Sequence, residues 1–429
     1  MKKMLAFLMA GVLLTGCASG GNDSNSDDSE DKKETITVWA WDKNFNIPVM
    51  EEAAKIYEAD HPDVKIEIID YAKADVETKL LTGLSTGSTK NLPDIVLMED
   101  YGAQKYLNSY PGMFEDLTGK INQDDFAQYK IVPFTVDGKL YGVPFDSGVT
   151  GLFYRTDILA EAGYTSEDLQ NITWEDFQKI GEDVVAKTGK AMLGDNLNEM
   201  SGLTRIMLQS AGNWYFDENG EVTIADNKVM EEAFNIFKTW KETGIIKNTN
   251  GWEEWVGAMN DGSVATVVSG SWIIGSIIAA NDQSGLWGVA PLPKMNTVDS
   301  VNASNIGGSS WVVLSGKETT NTAIDFLNET FAKSDEFYQT ILTNVGAIGT
   351  YIPAQSGSAY ETQSEFFGGQ TIYKDFSKWM QEVPEVNYGT YVGEADNAVH
   401  AVMPDLISGK ISVTDALEKI ESTVKNQIK

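Results

Sequence analysis

Between Thr35 and Met98 the chain alternates strand and helix signals at a spacing that leaves few folds open. Thr35-Ile36-Thr37-Val38-Trp39-Ala40-Trp41 is a β-branched and aromatic run, Val64 to Ile69 alternates in polarity, and Asp94 to Met98 is almost continuously apolar. Each predicts a strand. Ile47 to Ala59 and Asp75 to Leu84 read as the intervening helices. Pro48 suits a first turn, Glu51 and Glu52 suit the helix dipole, and Asp60-His61-Pro62 stops the first helix. Strand and helix in turn imply parallel β-α-β units. Ligands of such sheets bind at the loops that follow the carboxyl ends of the strands. Those loops here are Asp42-Lys43-Asn44-Phe45, Tyr71-Ala72-Lys73 and Glu99-Asp100-Tyr101.

The rest of the chain predicts a second unit of the same kind and three passages between the two. A turn at Asp137-Gly138 leads through a glycine-bearing stretch to a strand at Gly151–Arg155, the first crossing. Thr173 is placed to cap a helix reaching about Thr188, and helices are expected at 200–211, 227–243 and 252–260. Ser263 to Ser269 is a buried strand, followed by Gly270-Ser271-Trp272 and a helix from Ile273. Gly307-Gly308 opens the second crossing and its strand, and Gly346 to Pro353 is the third. Helices at 321–332, 335–343, 371–382, 394–408 and 414–425 complete the pattern. A chain of 429 residues exceeds what one compact core usually holds, so two lobes are expected. Trp39 is expected in the core, Trp174, Trp240 and Trp379 in helix packing, and Trp252 and Trp255 in a helix core. Trp41 and Trp311 stand open between core and site.

The start of the chain has a different character. Lys2 and Lys3 precede an apolar run from Met4 to Leu14, a secretory signal too short to span a bilayer. Leu13-Leu14-Thr15-Gly16-Cys17 resembles the lipobox of bacterial lipoproteins, which implies removal of residues 1–16 and lipidation of Cys17, the only cysteine. Residues 17–34 then form a lipidated cysteine and a polar tether that cannot pack. Removing residues 1–16 leaves 30 basic against 63 acidic residues, which argues against a nucleic acid partner. Only Arg155 and Arg205 supply guanidinium groups, which disfavours carboxylate or phosphate ligands. Eleven tryptophans and 16 tyrosines suit sugar rings, whose C–H faces are apolar and whose edges carry hydroxyls.

Together these stretches resemble an extracellular solute-binding protein of the family 1 type, the lipoprotein receptor of a carbohydrate ABC importer; maltose-binding proteins are a more distant likeness. The resemblance runs through ITVWAW, YEADHPDVKIEI, NLPDIVLMED, DGKLYGVPFDSGVTGLFYRTDIL with TWEDF, NDGSVATVVSGSW, and LWGVAPLP with GGSSWVVL, in that order. It implies an α/β, two-lobed periplasmic-binding-protein-like fold of type II, three crossings, and a ligand cleft between the lobes. The N-terminal lobe is expected at 35–147 and 311–345, and the C-terminal lobe at 148–310 and 346–429. By the same resemblance Trp272, Trp214 and Tyr391 match positions that stack on sugar rings, and Asp42, Asn44, Glu99, Asp100 and Asp146 are the polar hands. Lys43 and Phe45 flank them, and Trp41 and Trp311 are further candidates. Glu99-Asp100 stands where maltose-type members carry an aromatic, so maltose itself is not the expected ligand. The implied partners are a neutral carbohydrate, the permease subunits of an ABC importer and a membrane reached only through the lipid. A monomer without cofactor or metal is expected.

Two rivals are set against this reading. A secreted glycosidase would use two carboxylates. The usual barrel for that chemistry needs eight strand-helix repeats, and the middle of this chain is too irregular. Neither His61 nor His400 has a recognisable nucleophile partner, and no zinc spacing or phosphate loop is present. A receptor for a cationic solute such as a polyamine also suits an acidic chain, since aromatic boxes hold cations.

Overall fold

The computed structural model describes residues 33–296 and 299–428; the expected signal sequence, Cys17 and nearly all of the tether lie outside the described residues. Ten strands build two five-stranded sheets. They are β1 (Glu34–Ala40), β2 (Val64–Asp70), β3 (Ile95–Glu99), β4 (Gly142–Pro144), β5 (Thr150–Arg155), β6 (Ala191–Asp195), β7 (Ile246–Asn248), β8 (Val264–Gly270), β9 (Trp287–Ala290) and β10 (Ser309–Val313). The first sheet has the order β2-β1-β3-β10-β4, with β2, β1 and β3 parallel and the other two strands antiparallel to their neighbours. The second has the order β9-β5-β8-β6-β7, with β8, β6 and β7 parallel. Each lobe therefore contains one parallel trio, and each trio has a carboxyl edge.

Local chemistry accounts for the elements that carry these sheets. The helix Asn46–Asp60 ends where His61 and Pro62 follow, and the helix Trp174–Thr188 starts in a capping box between Thr173 and Asp176. Strand β1 alternates, with Ile36, Val38 and Ala40 fully buried. Trp39 lies on the opposite, half-buried face, edge-on to Tyr71 at 5.4 Å, so the expected core position is one residue out of phase. Trp174 and Trp240 are fully buried against each other and Phe177, and Trp379 packs against Phe376.

Each lobe has its own core. One cluster runs from Ile36 to Phe145 and resumes from Trp311 to Ala354. The main cluster of the other lobe runs from Leu152 through Trp240 to Val424, with a smaller one around Phe153, Ile277 and Trp287. The lobes are joined by three segments that lie side by side. Ile306 N donates to Gly148 O at 2.8 Å, Ser147 N to Ile348 O at 3.1 Å, and Thr350 N to Phe145 O at 3.0 Å. Gly148 makes this contact possible, because a Cβ there would sit 2.1 Å from the carbonyl oxygen of Ile306. The fold is thus α/β and two-lobed, with three crossings.

Candidate functional site

In both lobes the carboxyl edge of the parallel trio abuts the crossings. On the N-terminal side, β1 ends in a tight loop where Asp42 adopts φ 71° and its Oδ1 accepts from Asn44 N at 2.9 Å. Asp42, Lys43 and Asn44 are exposed, and Trp41 is half-buried. Lys43 reaches Asp70 at the end of β2 (3.3 Å), and Lys73 reaches Glu99 at the end of β3 (2.6 Å). Trp41 and Glu99 line one small cavity with Gly102 and Tyr106. The three loops named from sequence are therefore neighbours. Phe45 turns inward to Phe145, ring centroids 6.2 Å apart.

Across the crossings, β8 ends in Gly270-Ser271-Trp272. Ser271 N donates to Val149 O (2.9 Å), Ser271 Oγ to Ser147 O (3.1 Å) and Trp272 Nε1 to Ile306 O (2.9 Å), which fixes this loop on the first and second crossings. Only glycine fits at 270, since a Cβ there would lie 2.4 Å from Trp272 Nε1. The other two strands of the trio end beside it. β6 ends at Asp195, whose carbonyl accepts from Thr249 N at 3.0 Å, and β7 leads through Asn248 into the helix Gly251–Asn260. That helix carries Trp252 and Trp255, and Trp255 Nε1 donates to Gly194 O at 3.0 Å. Trp252, Trp255 and Trp272 form one cluster, with centroids 5.5, 6.2 and 6.5 Å apart. Trp252 is 54% exposed, so the expectation that it lies in a helix core is corrected, whereas Trp255 is half-buried and packs against the core around Phe153 and Ile277. The helix is short and has only Ala258 and Met259 buried, so its apolar residues outnumber its buried positions. Burial pushes the Asp195 carboxyl up to about 6, aided by the charge of Glu199 and opposed by a hydrogen bond from Asn196 N.

Four expected ligand residues have other work. Asp100 is fully buried: Oδ2 accepts from Lys130 Nζ at 2.5 Å and Oδ1 from Ser310 Oγ at 3.2 Å. Burial raises its carboxyl to about 7, against the pull of Lys130. Asp146 is buried beside it and accepts from Ser309 N at 2.7 Å. Both hold the start of the strand that follows the second crossing, through Ser309 and Ser310. Trp311 is fully buried between Phe145 and Phe331 because its strand is the fourth in an enclosed sheet. Trp214 is only 3% exposed; Tyr101 of the opposite lobe stacks on it at 5.9 Å, and its Nε1 donates to Tyr388 O. Tyr101 is itself held by Arg205, whose guanidinium lies 4.3 Å from the ring centroid, and donates to Asn305 O. This contact, with Lys105–Glu394 at 3.5 Å and Asn108–Thr390 at 3.0 Å, ties the lobes together.

Trp214 also borders a cavity of about 1170 Å³ between residues 104–137 of one lobe and the segments 212–223 and 385–391 of the other. Tyr391, 36% exposed, is the other expected site residue in its lining. None of Trp41, Asp42, Glu99 and Trp272 belongs to it. The two histidines have partners that sequence did not reveal. His61 Nε2 lies 3.0 Å from Glu329 while its ring stacks on Tyr57, and His400 Nε2 lies 2.7 Å from Ser201 Oγ.

Two α/β lobes joined by three segments, with strand-end loops gathered where each parallel trio meets those segments, define a two-lobed ligand-binding protein. Residues 52–367 match the bacterial extracellular solute-binding proteins, and the chain belongs to that family. It is 48% identical over 393 residues to a lactose-binding protein of Rhizobium radiobacter, covering 92% of this chain and 93% of that one. An arabinooligosaccharide-binding protein of Bacillus subtilis (strain 168) is 29% identical over 78% of this chain and 77% of its own. A solved extracellular solute-binding protein of family 1 superposes with a TM-score of 0.78, covering 92% of this chain and 99% of the other, at 20% identity.

Proposed function

We propose that this protein captures a neutral sugar of the lactose class between its lobes and presents it to the permease of an ABC importer. The observation that carries the reading is the half-buried indole of Trp272, fixed at the carboxyl edge of one parallel trio against the crossings that also receive the loops of the other. Trp272 offers an apolar face to a sugar ring. Asp195 and, from the N-terminal lobe, Trp41, Asp42, Lys43, Asn44 and Glu99 supply the polar groups for its hydroxyls. The lactose-binding relative, similar along nearly the whole chain, favours a galactose-containing disaccharide. Binding without turnover is the assigned role, since the relatives named here are binding proteins. Closure of the lobes around the sugar is the signal to the permease, which requires that it favour the closed form. The chain acts as a monomer, and Cys17 carries the lipid that holds it on the outer side of the cell membrane.

The test is a thermal-shift screen over galactosides, arabino-oligosaccharides, maltodextrins and polyamines. A saturating ligand at 100 times its Kd adds about 2.7 kcal/mol. The proposal expects lactose or a close galactoside to give the largest rise. A rise with spermidine and none with any sugar would overturn it.

A further inference from the structure

We infer that His61, Asp325 and Glu329 form a site for a divalent cation of the zinc type, which clips together two helices of the N-terminal lobe. His61 ends the helix Asn46–Asp60, and the two carboxylates share one face of the helix Thr320–Thr330. Each side chain offers one ligand atom, and the three atoms lie within 4.8 Å of one another. His61 Nε2 and Glu329 Oε2 are already 3.0 Å apart. Ligand atoms about 2.0–2.1 Å from a tetrahedral ion stand about 3.3 Å from each other, so a small movement of exposed side chains completes the set, with water in the fourth position. One imidazole with two carboxylates suits zinc, whereas calcium and magnesium favour oxygen ligands alone.

The surroundings hold these ligands in place. Tyr57, 3% exposed, forms the floor, its ring stacked on that of His61 at 4.0 Å and packed against Phe326. Its hydroxyl donates to Asp325 Oδ2 at 3.1 Å, which leaves Oδ1 for an ion. Outer contacts of this kind orient metal ligands. The backbone of His61 is fixed as well, because its N–H donates to Tyr57 O at 2.9 Å and its carbonyl accepts from Val64 N at 3.0 Å. Asp325 and Glu329 stand four residues apart on a helix, where like charges repel. Among the described residues neither pairs with a lysine or arginine. A histidine–carboxylate pair alone would account for Glu329 but not for Asp325; a cation accounts for both. Glu34, the first residue of β1, accepts from Thr322 Oγ1 at 2.9 Å and adds a third negative charge nearby. The cluster therefore lies where β1 and β2 begin, at the edge of the sheet opposite the candidate sugar site, and the inference is independent of the sugar reading. The ion acts on the stability of the lobe. No zinc spacing shows in the sequence because residues 61 and 325–329 meet only in the fold.

The experiment is titration calorimetry of zinc chloride, without sugar, into the protein and into His61→Gln, Asp325→Asn and Glu329→Gln. All carry Cys17→Ser so that no thiol competes, and His400→Gln serves as the control. One equivalent of zinc is expected to bind the parent, each of the three variants to weaken it by roughly tenfold or more, and His400→Gln to stay within twofold. Saturating zinc should raise the melting temperature of the parent by a few degrees, and by less in the three variants. Glu329 is exposed, so Glu329→Gln decides the case even if His61→Gln folds poorly. No saturable zinc uptake by the parent, uptake by Glu329→Gln within twofold of the parent, or an equal loss in His400→Gln overturns the inference. Calcium or magnesium bound as tightly as zinc overturns it too.

Discussion

Lys130→Met isolates the electrostatic anchor of the strand that follows the second crossing. The side chains of Lys130 and Asp100 are both fully buried, and Lys130 Nζ also donates to Ser309 O at 3.1 Å. At an effective dielectric near 20 and a charge separation of about 4 Å, the attraction is about 4 kcal/mol. Removing one member of a buried pair typically costs about 3–5 kcal/mol, because the other charge is left uncompensated. Methionine keeps most of the lysine stem, so packing contributes little to the loss. The assay is thermal and urea unfolding of the ligand-free protein, with a melting point lowered by roughly 10 °C. The deficit should depend on pH. Asp100 already sits near 7 because burial outweighs Lys130, and losing the lysine raises it further. A carboxyl raised above its unfolded value of about 3.9 contributes stability that is present at low pH and lost as pH rises through the folded value. The deficit of Lys130→Met should therefore shrink at pH 5 and be full at pH 8. Adding Asp100→Asn should recover most of it, since a buried pair replaced by neutral groups is often near neutral. A single variant costing under 1 kcal/mol, or a double variant as unstable as the single, would refute the electrostatic reasoning.

Three further outcomes follow from the site and the chain ends. Trp272→Ala should lower lactose affinity by roughly 30-fold or more in titration calorimetry, while the ligand-free melting temperature moves by only a few degrees. Asp195→Asn should lose stability relative to wild type most at pH 4. The difference should narrow as pH rises through about 6, because the raised carboxyl of Asp195 contributes below that value; parallel pH–melting curves check this. Cys17→Ser should release the protein to the soluble fraction with sugar affinity unchanged, measured by fractionation and titration of the released protein.

Strands β1, β2, β3 and β8 were legible because each is a β-branched or apolar run beside a helix signal, and glycines mark the crossings; β6 (AMLGD) and β7 (IKN) are too short and too mixed to be read as strands from sequence. Carboxyl-edge loops follow from topology, so Trp41, Asp42, Glu99 and Trp272 could be named without coordinates. Partners distant in sequence could not. Lys130 gives no local sign that it will neutralise Asp100, and Tyr101 none that it will cover Trp214 from the other lobe. Trp252 was hidden for a different reason. Its helix, GWEEWVGAMN, has the spacing of an amphipathic element, and only its shallow seating reveals that the apolar side stays open. Asp195 closes one of these short strands, and its place in the parallel trio became evident only from β6 and β8.

The central claim is that a neutral sugar, not a cation, is the ligand. Titration calorimetry of lactose and of spermidine into the purified protein at two salt concentrations tests it directly. The account predicts saturable lactose binding with a Kd unchanged by salt, because no charge is neutralised, and no spermidine binding. Spermidine binding that weakens steeply with salt, in a protein indifferent to lactose and other sugars, would contradict it.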